Sequence, residues 1–564
     1  MPQSPPPTEY GEWRREYDTP RGDAHRRIRN EIAGWREPPL VSILLIADAE
    51  PDAALQRALE SVRAQLYPAW EVCLSRLTPA GSVPGLPVIE DDRVRVAPSA
   101  PTVAEARNAA AAMARGQWIL PLDAQDCLAE DALFHLAREA MRHPEAAVIY
   151  SDEDRIDATG LRSAPYFKTD FDPELLLVQD YLRNLAAYRR DILDRLGGFR
   201  TTVATPDHDL ALRAAQAVGA AGILHIPHVL CHAGHERGWA ATERTVVEGA
   251  LAAAGVQAAV APHPLMREGL RIIRPVPQPE PLVSVIVPTR DRAELLRPCI
   301  EGLLHRTDYK AIEVLIADNG STEPDALALL AELRADPRVR VLEQPGPFNY
   351  SRLNNQAVAE ARGEILLLLN NDIDVIAGDW LHELVSHAVR PEIGAVGPKL
   401  LYPDGSVQHA GVLVGIGWPA GVAGHVYAGI EGTDPGPFGL LAATRSVAAV
   451  TGACLAVRRS LYDEVGGLDE ERLTVAFNDV DFCLRLHARG YRNLWTPFSV
   501  LFHKESASRG EDLTGAKARR FAGEIATMRE RWADLLDNDP YWNPNLALTS
   551  LDRRLAEPPR LRRW

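Results

Sequence analysis

The residues of this chain that could do chemistry are carboxylates, amides and a histidine in its second half. They form three clusters: Pro288, Thr289 and Asp318; then Asn370, Asn371 and Asp372; then Asp479, Asp481 and His503. Carboxylate and amide oxygens bind divalent cations, and carboxylates and imidazoles also accept protons. The clusters therefore predict a site that holds a phosphorylated ligand through a divalent cation.

Each cluster adjoins an element that would bring it to one edge of a parallel sheet. The apolar runs at 282–288, 312–317 and 365–369 alternate with helical stretches, which predicts a doubly wound α/β fold. Ligands bind at the carboxyl edge of such a sheet. A strand-end carboxylate such as Asp318 could bind a ribose or a base there. The alternative to a binding role is a structural one: the Asn-rich residues could form ordinary turns, and Asp481 could be a helix N-cap.

The same pattern occurs earlier in the chain. NNQAVAEARGEILLLLNND (354–372) aligns with RNAAAAMARGQWILPLDAQD (107–126) without a gap. The alignment places Asn108 on Asn355 and Asp123 on Asn370. We therefore expect an internal duplication, and we include Asn355 among the donor-site candidates.

Composition limits the class of protein. The chain has 564 residues, 46% of them hydrophobic and 24% charged, and its formal net charge is -16. This charge argues against nucleic acid as a partner. No apolar run approaches the roughly 20 residues of a membrane helix. The N-terminal residues do not resemble a signal peptide, and the six cysteines form no CxxC pair. We expect a cytoplasmic protein.

Composition shifts also predict the domain boundaries. LVSILLIAD at residue 40 and LVSVIVPTRD at residue 282 are nearly the same strand, so each should open a domain. We expect a lead-in at 1–39, an α/β domain at 40–262, a Pro-rich linker at 263–281, a second α/β domain at 282–510 and a helical C-terminal extension at 511–564.

The second domain resembles family 2 glycosyltransferases, which have the Rossmann-like GT-A fold. The motifs that carry the resemblance are VSVIVPTRDR, IADNGST, FNYSRLNNQA, LLLLNND, VTGACLAVRRSLYDEVGGLDE, FNDVDFCLRL and HKESASRG. The resemblance implies that Asp318 binds the nucleotide, that Asp372 and His503 hold Mn²⁺ or Mg²⁺ on the diphosphate, and that Asp479 is the catalytic base.

One residue departs from the family pattern. The first Asp of the family's Asp-x-Asp motif is Asn370 here, whose amide oxygen can accept or ligate but adds no charge. Asp372 would then carry the charge of the cation site. We expect an inverting displacement in which Asp479 takes the proton of an acceptor hydroxyl. Trp380 and His409 could line the pocket or belong to the core, with neither reading favoured.

The first copy resembles the amino-terminal half of long bacterial polysaccharide glycosyltransferases, through YSDEDRID, YFKTDFDPELLL and YRRDILDRLGGFR. Its donor site is altered, because Gln125 aligns with Asp372 and either Ser75 or Arg76 with Asp318. Asp207 aligns with Asp479 and His232 with His503, so a possible base remains. Asp126 could replace the lost ligand if the turn is displaced. We favour a first domain without activity over a bifunctional enzyme.

The function expected from the resemblance is an inverting transfer of a hexose or deoxyhexose from a nucleotide-sugar donor to a cell-surface polysaccharide or lipid-linked glycan. A lipid-linked acceptor would bring the protein to the inner face of the cell membrane as a peripheral partner. The alternatives are a non-catalytic scaffold that binds sugar nucleotide or glycan, and a nucleotidyltransferase, which would release pyrophosphate.

Overall fold

The computed structural model describes residues 7–47, 52–78, 91–234, 242–417, 421–504, 515–549, 553–561 and 563. Residues 505–510 of the HKESASRG motif therefore lie outside the described part. The chain divides into two compact units. The first unit contains residues 3–272, 543–547 and 554–564, and the second contains residues 273–542 and 548–553. The first unit thus includes the lead-in and part of the C-terminal extension.

The first unit contains eleven strands and nine α-helices within its described residues. The helices are α1 (Pro7–Trp13), α2 (Asp23–Ala33), α3 (Asp52–Arg63), α4 (Val103–Met113), α5 (Ala132–Arg142), α6 (Pro173–Val178), α7 (Arg190–Arg195), α8 (Pro206–Val218) and α9 (Arg244–Ala253). The strands are β1 (Val41–Ala47), β2 (Trp70–Arg76), β3 (Val94–Val96), β4 (Trp118–Asp123), β5 (Cys127–Leu128), β6 (Val148–Ile156), β7 (Arg162–Tyr166), β8 (Ala186–Arg189), β9 (Ile223–Ala233), β10 (Ala259–Pro262) and β11 (Leu270–Ile273).

The second unit contains twelve strands and seven α-helices among the residues described. The helices are α10 (Ala293–His305), α11 (Pro324–Leu333), α12 (Tyr350–Glu360), α13 (Trp380–Ala388), α14 (Arg459–Glu464), α15 (Asn478–His487) and α16 (Gly515–Asp537). The strands are β12 (Val283–Thr289), β13 (Ile312–Asp318), β14 (Val339–Glu343), β15 (Ile365–Leu369), β16 (Ile373–Val375), β17 (Ile393–Leu401), β18 (Val407–His409), β19 (Val412–Val414), β20 (Ala423–His425), β21 (Arg445–Val447), β22 (Cys454–Arg458) and β23 (Arg492–His503).

The main sheets of the two units have the same strand order. The first runs β3-β2-β1-β4-β8-β6-β9-β5 and the second runs β14-β13-β12-β15-β22-β17-β23-β16. The first four strands of the second sheet are parallel and are separated along the chain by α10, α11 and α12. The predicted fold class, two Rossmann-like α/β units in tandem, is confirmed. The shared order also supports the duplication.

The repeated Arg-Gly pair has a structural cause. In the second unit the Gly363 N–H donates to Ser284 Oγ, which in turn donates to Glu313 Oε1 at 2.6 Å. A Cβ on Gly363 would lie 2.6 Å from the Leu282 carbonyl oxygen, so only glycine fits where the helix turns into the strand. Gly116, Ser42 and Glu71 repeat these contacts in the first unit.

Each sheet supplies the core of its own unit. In the second unit the apolar side chains of β12, β13 and β15 pack with those of α10 and α13, and many of them are completely buried. In the first unit β1, β2 and β4 pack in the same way with α3 and α5. Burial on this scale fixes the strand register, and the register fixes which polar residues reach the carboxyl edge. No helix in the described ranges is long and apolar enough to cross a membrane.

Candidate active site

The carboxyl ends of β12 and β13 bring the first cluster together. Thr289 and Asp318 are register partners on these parallel strands, and both are buried. Pro288 precedes Thr289 on β12 and is partly buried. The Asp318 Oδ1 accepts from the N–H of Ser321 at 3.0 Å and from its hydroxyl at 2.6 Å. Asp318 therefore organises the turn after β13, directly beside Thr289.

The second cluster is attached to the first. The Asn371 Nδ2 donates to Thr289 Oγ1 at 3.0 Å, which holds the loop after β15 against the end of β12. Because β16 pairs antiparallel with the end of β23, with Ile373 opposite His503, the preceding Asp372 reaches the histidine. His503 Nε2 lies 3.1 Å from Asp372 Oδ1 and 3.4 Å from Asn370 Nδ2.

The pair formed by Asp372 and His503 has the chemistry of a cation site. His503 Nδ1 lies 2.8 Å from Gln408 Oε1, an acceptor, so we assign the ring proton to Nδ1 and a lone pair to Nε2. Asp372 Oδ1 is buried and receives no hydrogen bond from any described residue. The lone pairs of His503 Nε2 and Asp372 Oδ1 therefore face each other at 3.1 Å, and a cation bound by both atoms would offset their repulsion.

The separation of these two atoms also suits a cation. Adjacent ligands of an octahedral ion with bonds of about 2.1 Å lie about 3.0 Å apart. The described residues contain no group of three or more His, Cys, Asp or Glu side chains arranged to hold a metal. A cation here would therefore take its further ligands from water or from the oxygens of a bound diphosphate.

Asp479 is linked to this group by residues that sequence reasoning missed. The Gly452 N–H donates to Asp479 Oδ2 at 2.7 Å, and the Tyr350 hydroxyl donates to the Gly452 carbonyl oxygen at 2.9 Å. The same hydroxyl lies 3.5 Å from Asn370 Oδ1. Asp479 stands in the first turn of α15, where the helix dipole favours a carboxylate. Tyr350 and Gly452 belong to the motifs FNYSRLNNQA and VTGACLAV. Their place in these family motifs was the only feature of the sequence that pointed to them.

Two predicted site residues, Asn355 and Trp380, do not lie beside Asn370, Asp372 and His503. The Asn355 side chain bonds to α14 and to the loop after it: its Oδ1 accepts from the Tyr462 hydroxyl and from the Leu468 N–H, and its Nδ2 donates to the Leu468 carbonyl oxygen. Asn108 makes the equivalent pair of bonds to Phe199. Trp380 is buried in the core, where its indole N–H donates to Thr307. The repeat around Asn355 therefore marks a structural contact.

Asp481 also has a structural environment. It is completely buried and accepts hydrogen bonds from Arg485, Arg531 and the Trp532 indole N–H, so it joins α15 to α16. Its counterpart Asp209 accepts from Arg213 in the same way. Asp481 thus serves the fold, and the N-cap alternative does not describe it.

His409 is a buried histidine that contacts a second, partly buried histidine. Its Nδ1 is 2.9 Å from the Nδ1 of His425, and the ring is completely buried. Burial, with the nearby His425 and Arg445, holds the pKa of His409 well below its usual range. It follows Gln408 on β18, one residue from the contact with His503.

In the first unit arginines occupy the corresponding region. Arg107 is buried and pairs with both Asp123, at 3.0 Å, and Asp207. Arg183 lies 3.7 Å from Asp123 and 3.8 Å from Asp207. These four residues line one pocket at the carboxyl edge of the sheet. The counterpart of the proposed base is therefore neutralised by two guanidinium groups.

The strand register settles two alignments that the sequence left open. Ala47 is opposite Arg76, as Thr289 is opposite Asp318, so the strand-end carboxylate has become a guanidinium. Gln125 aligns with Asp372 when no gap is allowed, but the pairing of the next strand shifts that alignment by one residue, to Asp126. Cys127 is the residue paired with His232, so Asp126 precedes that pairing just as Asp372 precedes the pairing with His503. The Asp126 Oδ1 accepts from the Gly234 N–H at 3.0 Å.

A family model agrees with this duplicated architecture. The model described as glycosyl transferase family 2 matches residues 42–197 and again residues 284–466, once in each unit. A solved structure of a mannosyltransferase from Pyrobaculum calidifontis, in complex with GDP-Man and Mn²⁺, aligns with a TM-score of 0.33 at 19% identity, covering 50% of this chain and 74% of that one.

Several curated proteins are similar to the chain. An uncharacterized protein of Sinorhizobium fredii is 41% identical over 95% of this chain and 60% of its own length. The O-antigen biosynthesis protein RfbC of Myxococcus xanthus is 38% identical over 99% of this chain and 44% of its own length. An N-acetylglucosaminyl-diphospho-decaprenol L-rhamnosyltransferase of Mycobacterium tuberculosis is 30% identical over 36% of this chain and 70% of its own length. The chain thus spans about half the length of its first two relatives.

Proposed function

Because the chain belongs to glycosyl transferase family 2, we propose that its second unit transfers a sugar from a nucleotide-sugar donor to an acceptor hydroxyl with inversion at the anomeric carbon. One observation carries the proposal: Tyr350 and Gly452 connect the carboxylate of Asp479 to the group formed by Asn370, Asp372 and His503. A base and a site for a charged leaving group thus lie at one sheet edge.

The base acts on the acceptor. Asp479 is oriented by the Gly452 N–H at Oδ2 and by the Val480 N–H, at 2.9 Å, at Oδ1. Its carboxylate takes the proton of the acceptor hydroxyl as the oxygen bonds to the anomeric carbon, while the bond from that carbon to the diphosphate oxygen breaks on the opposite face. General-base help of this kind is worth about 10²- to 10⁴-fold.

The leaving nucleoside diphosphate would bind at Asp372 and His503. Asp372 and His503 would hold Mn²⁺ or Mg²⁺, which offsets the charge that develops on the departing nucleoside diphosphate. Asn371 keeps the loop in place by donating to Thr289. Asp318 and Thr289 lie at the adjoining strand ends, where a ribose or base would bind.

The acceptor is proposed from the relatives. One is named for O-antigen biosynthesis and another for transfer to an N-acetylglucosaminyl-diphospho-decaprenol. We therefore propose a growing cell-surface polysaccharide or its lipid-linked precursor as the acceptor, and a hexose or deoxyhexose as the sugar. A lipid-linked acceptor would require peripheral contact with the inner face of the cell membrane.

We infer further that the first unit does not transfer sugar. Arg76 stands in place of Asp318, Asp126 takes the register position of Asp372 but accepts from the Gly234 N–H, and Asp207 is paired with Arg107 and Arg183. A carboxylate occupied by two guanidinium groups is not available to an acceptor hydroxyl, and Arg76 cannot accept hydrogen bonds from a nucleotide as a carboxylate would. These features argue against the bifunctional alternative.

The test is a turnover screen of the full chain with UDP-, GDP- and dTDP-sugars, Mn²⁺ and a lipid-linked glycan acceptor. We expect nucleoside diphosphate to be released with one donor class and Asp372→Ala to abolish the release. Pyrophosphate release would identify a nucleotidyltransferase instead. Binding of a donor without turnover, unchanged in Asp372→Ala, would support the non-catalytic scaffold.

A further inference from the structure

Gln408 is a buried glutamine that contacts one of the two candidate cation ligands. It lies on β18, is 2% exposed, and places Oε1 2.8 Å from Nδ1 of His503 on β23. A core position on a short strand normally takes an apolar side chain, because burying an amide costs free energy unless it is hydrogen-bonded. The contact with His503 is therefore the feature to explain.

The contact determines which nitrogen of His503 can bind a cation. An acceptor at Nδ1 keeps the proton on that nitrogen and leaves the lone pair of Nε2 facing Asp372 Oδ1, where it accepts a long hydrogen bond of 3.4 Å from Asn370 Nδ2. Without the acceptor, the ring could carry its proton on Nε2 and donate to Asp372 Oδ1, which would occupy both atoms. Partners of this kind fix the tautomer and the orientation of metal-binding histidines.

The first unit shows that the partner of this histidine is not dictated by the fold. His232 corresponds to His503, and its Nδ1 lies 2.7 Å from Asp154 on β6. Asp154 also accepts from Tyr10 and Arg162, so that histidine belongs to a buried ionic network. In the second unit the partner is instead a neutral amide on a different strand. The two units have thus kept an acceptor for Nδ1 but have obtained it from different elements.

We propose that Gln408 is a positioning residue that holds the Nε2 lone pair of His503 ready for a divalent cation. The proposal rests on the proposed function, because it assumes that Asp372 and His503 form the cation site. Gln408 contacts neither the cation nor the substrate in this account. It acts on the cation through His503, so its loss weakens cation binding in a protein that remains folded.

The experiment measures Mn²⁺ binding to the full chain by the loss of the free-ion electron paramagnetic resonance signal. Gln408→Met keeps the length of the side chain but removes the amide acceptor, and we expect the Kd for Mn²⁺ to rise about 10- to 100-fold. Gln408→Glu retains an acceptor at the same reach and should keep the Kd within about threefold of the native value. Calorimetry identifies the folded variants.

The matched control is Gln65→Met in the first unit. Gln65 is also a buried glutamine, with hydrogen bonds to Ala129 and Leu133, so its loss should lower the Tm without changing the Kd for Mn²⁺. An unchanged Kd in folded Gln408→Met would overturn the proposal. So would an equal loss of binding in Gln408→Glu, because a carboxylate can replace an acceptor.

Asp372→Ala separates this proposal from the one on which it rests. If that variant loses Mn²⁺ binding while Gln408→Met retains it, the cation site stands and only the role of Gln408 fails. If Asp372→Ala binds Mn²⁺ as tightly as the native protein, the cation site itself is wrong, and both proposals fail together.

Discussion

Arg107 occupies in the first unit the helical position that Asn354 occupies in the second. Each is the fifth residue of an eleven-residue helix that precedes the strand carrying the acidic motif. Asn354 is buried and donates to the Tyr350 carbonyl oxygen within its own helix, whereas Arg107 extends to Asp123 and Asp207. Arginine at this helical position thus places a guanidinium group between Asp123 and Asp207, which correspond to Asn370 and Asp479.

The Arg107 pairing should be important for the stability of the first unit. Arg107→Ala removes the guanidinium group that pairs with two poorly exposed carboxylates, those of Asp123 and Asp207. We expect the free energy of unfolding to fall by about 3–5 kcal/mol, measured by urea denaturation. Adding Asp207→Ala should recover part of this loss. If the losses of the two single variants simply add in the double variant, Arg107 and Asp207 are not paired. Turnover per folded molecule should not change.

The two aspartates of α15 should behave differently. Asp481→Ala removes the acceptor of Arg485, Arg531 and Trp532, so we expect a loss of about 3 kcal/mol in the free energy of unfolding. Asp479→Asn should leave the Tm close to that of the native protein. Calorimetry and kcat measured on both variants test this. A stable Asp481→Ala protein without turnover would mean that Asp481 belongs to the catalytic group.

Gly452 should tolerate no side chain. A Cβ on Gly452 would lie 3.3 Å from the Tyr350 hydroxyl and 3.4 Å from the Asp479 Cβ, so Gly452→Ala should displace one of them. We expect kcat to fall at least about tenfold, since small displacements of a catalytic group are costly.

Gly523 provides the control for that substitution. It lies within α16, and a Cβ there would meet no atom within 4 Å. Gly523→Ala should leave kcat unchanged and should stabilise the protein by about 0.5–1 kcal/mol, because alanine favours the helix. Equal kcat values for the two alanine variants would refute the role assigned to Gly452.

Stability of the first unit should decline at alkaline pH. Burial opposes protonation of His225, but the carboxylates of Asp152 and Asp170 outweigh it and raise the pKa to about 9. A folded pKa above the unfolded value of about 6.5 stabilises the fold below that pH, and the contribution is lost as the pH rises through about 9. The Tm should therefore fall between about pH 7 and pH 10.

The contribution of His225 can be isolated by substitution. His225→Gln should flatten the dependence of the Tm on pH across this range, because glutamine does not titrate. Asp152 also accepts from Asn543 and Asn545, so the same pH range should increase hydrogen exchange in residues 543–547. An unchanged slope in His225→Gln would assign the pH dependence to other groups.

The sequence predicted the fold and much of the candidate site because strand-end residues follow from register. Once β12, β13 and β15 were identified, Thr289, Asp318 and Asp372 had to meet at one edge. The alternation of strands and helices was enough for this step. It did not show that the first unit has one more residue between Asp123 and β5 than the second has between Asn370 and β16, which puts Asp126 rather than Gln125 at the position of Asp372.

What the sequence did not predict depends on partners distant in the chain. Asn355 looked functional because it begins the repeated pattern, yet its amide bonds to Leu468. Gln408 looked ordinary, yet it contacts His503 across 95 residues. Arg107 pairs with Asp207, 100 residues later in the chain, and this contact could not be inferred from spacing. Periodicity identifies elements but does not say which side chains they bring together.

If only the second unit transfers sugar, a pair of matched substitutions tests this most directly. Nucleoside diphosphate release is measured for Asp479→Asn and Asp207→Asn, the same change at corresponding helix positions. We predict a loss of about 10²- to 10⁴-fold for Asp479→Asn and a change of less than about twofold for Asp207→Asn. Loss of release in Asp207→Asn, with Asp479→Asn active, would contradict the account.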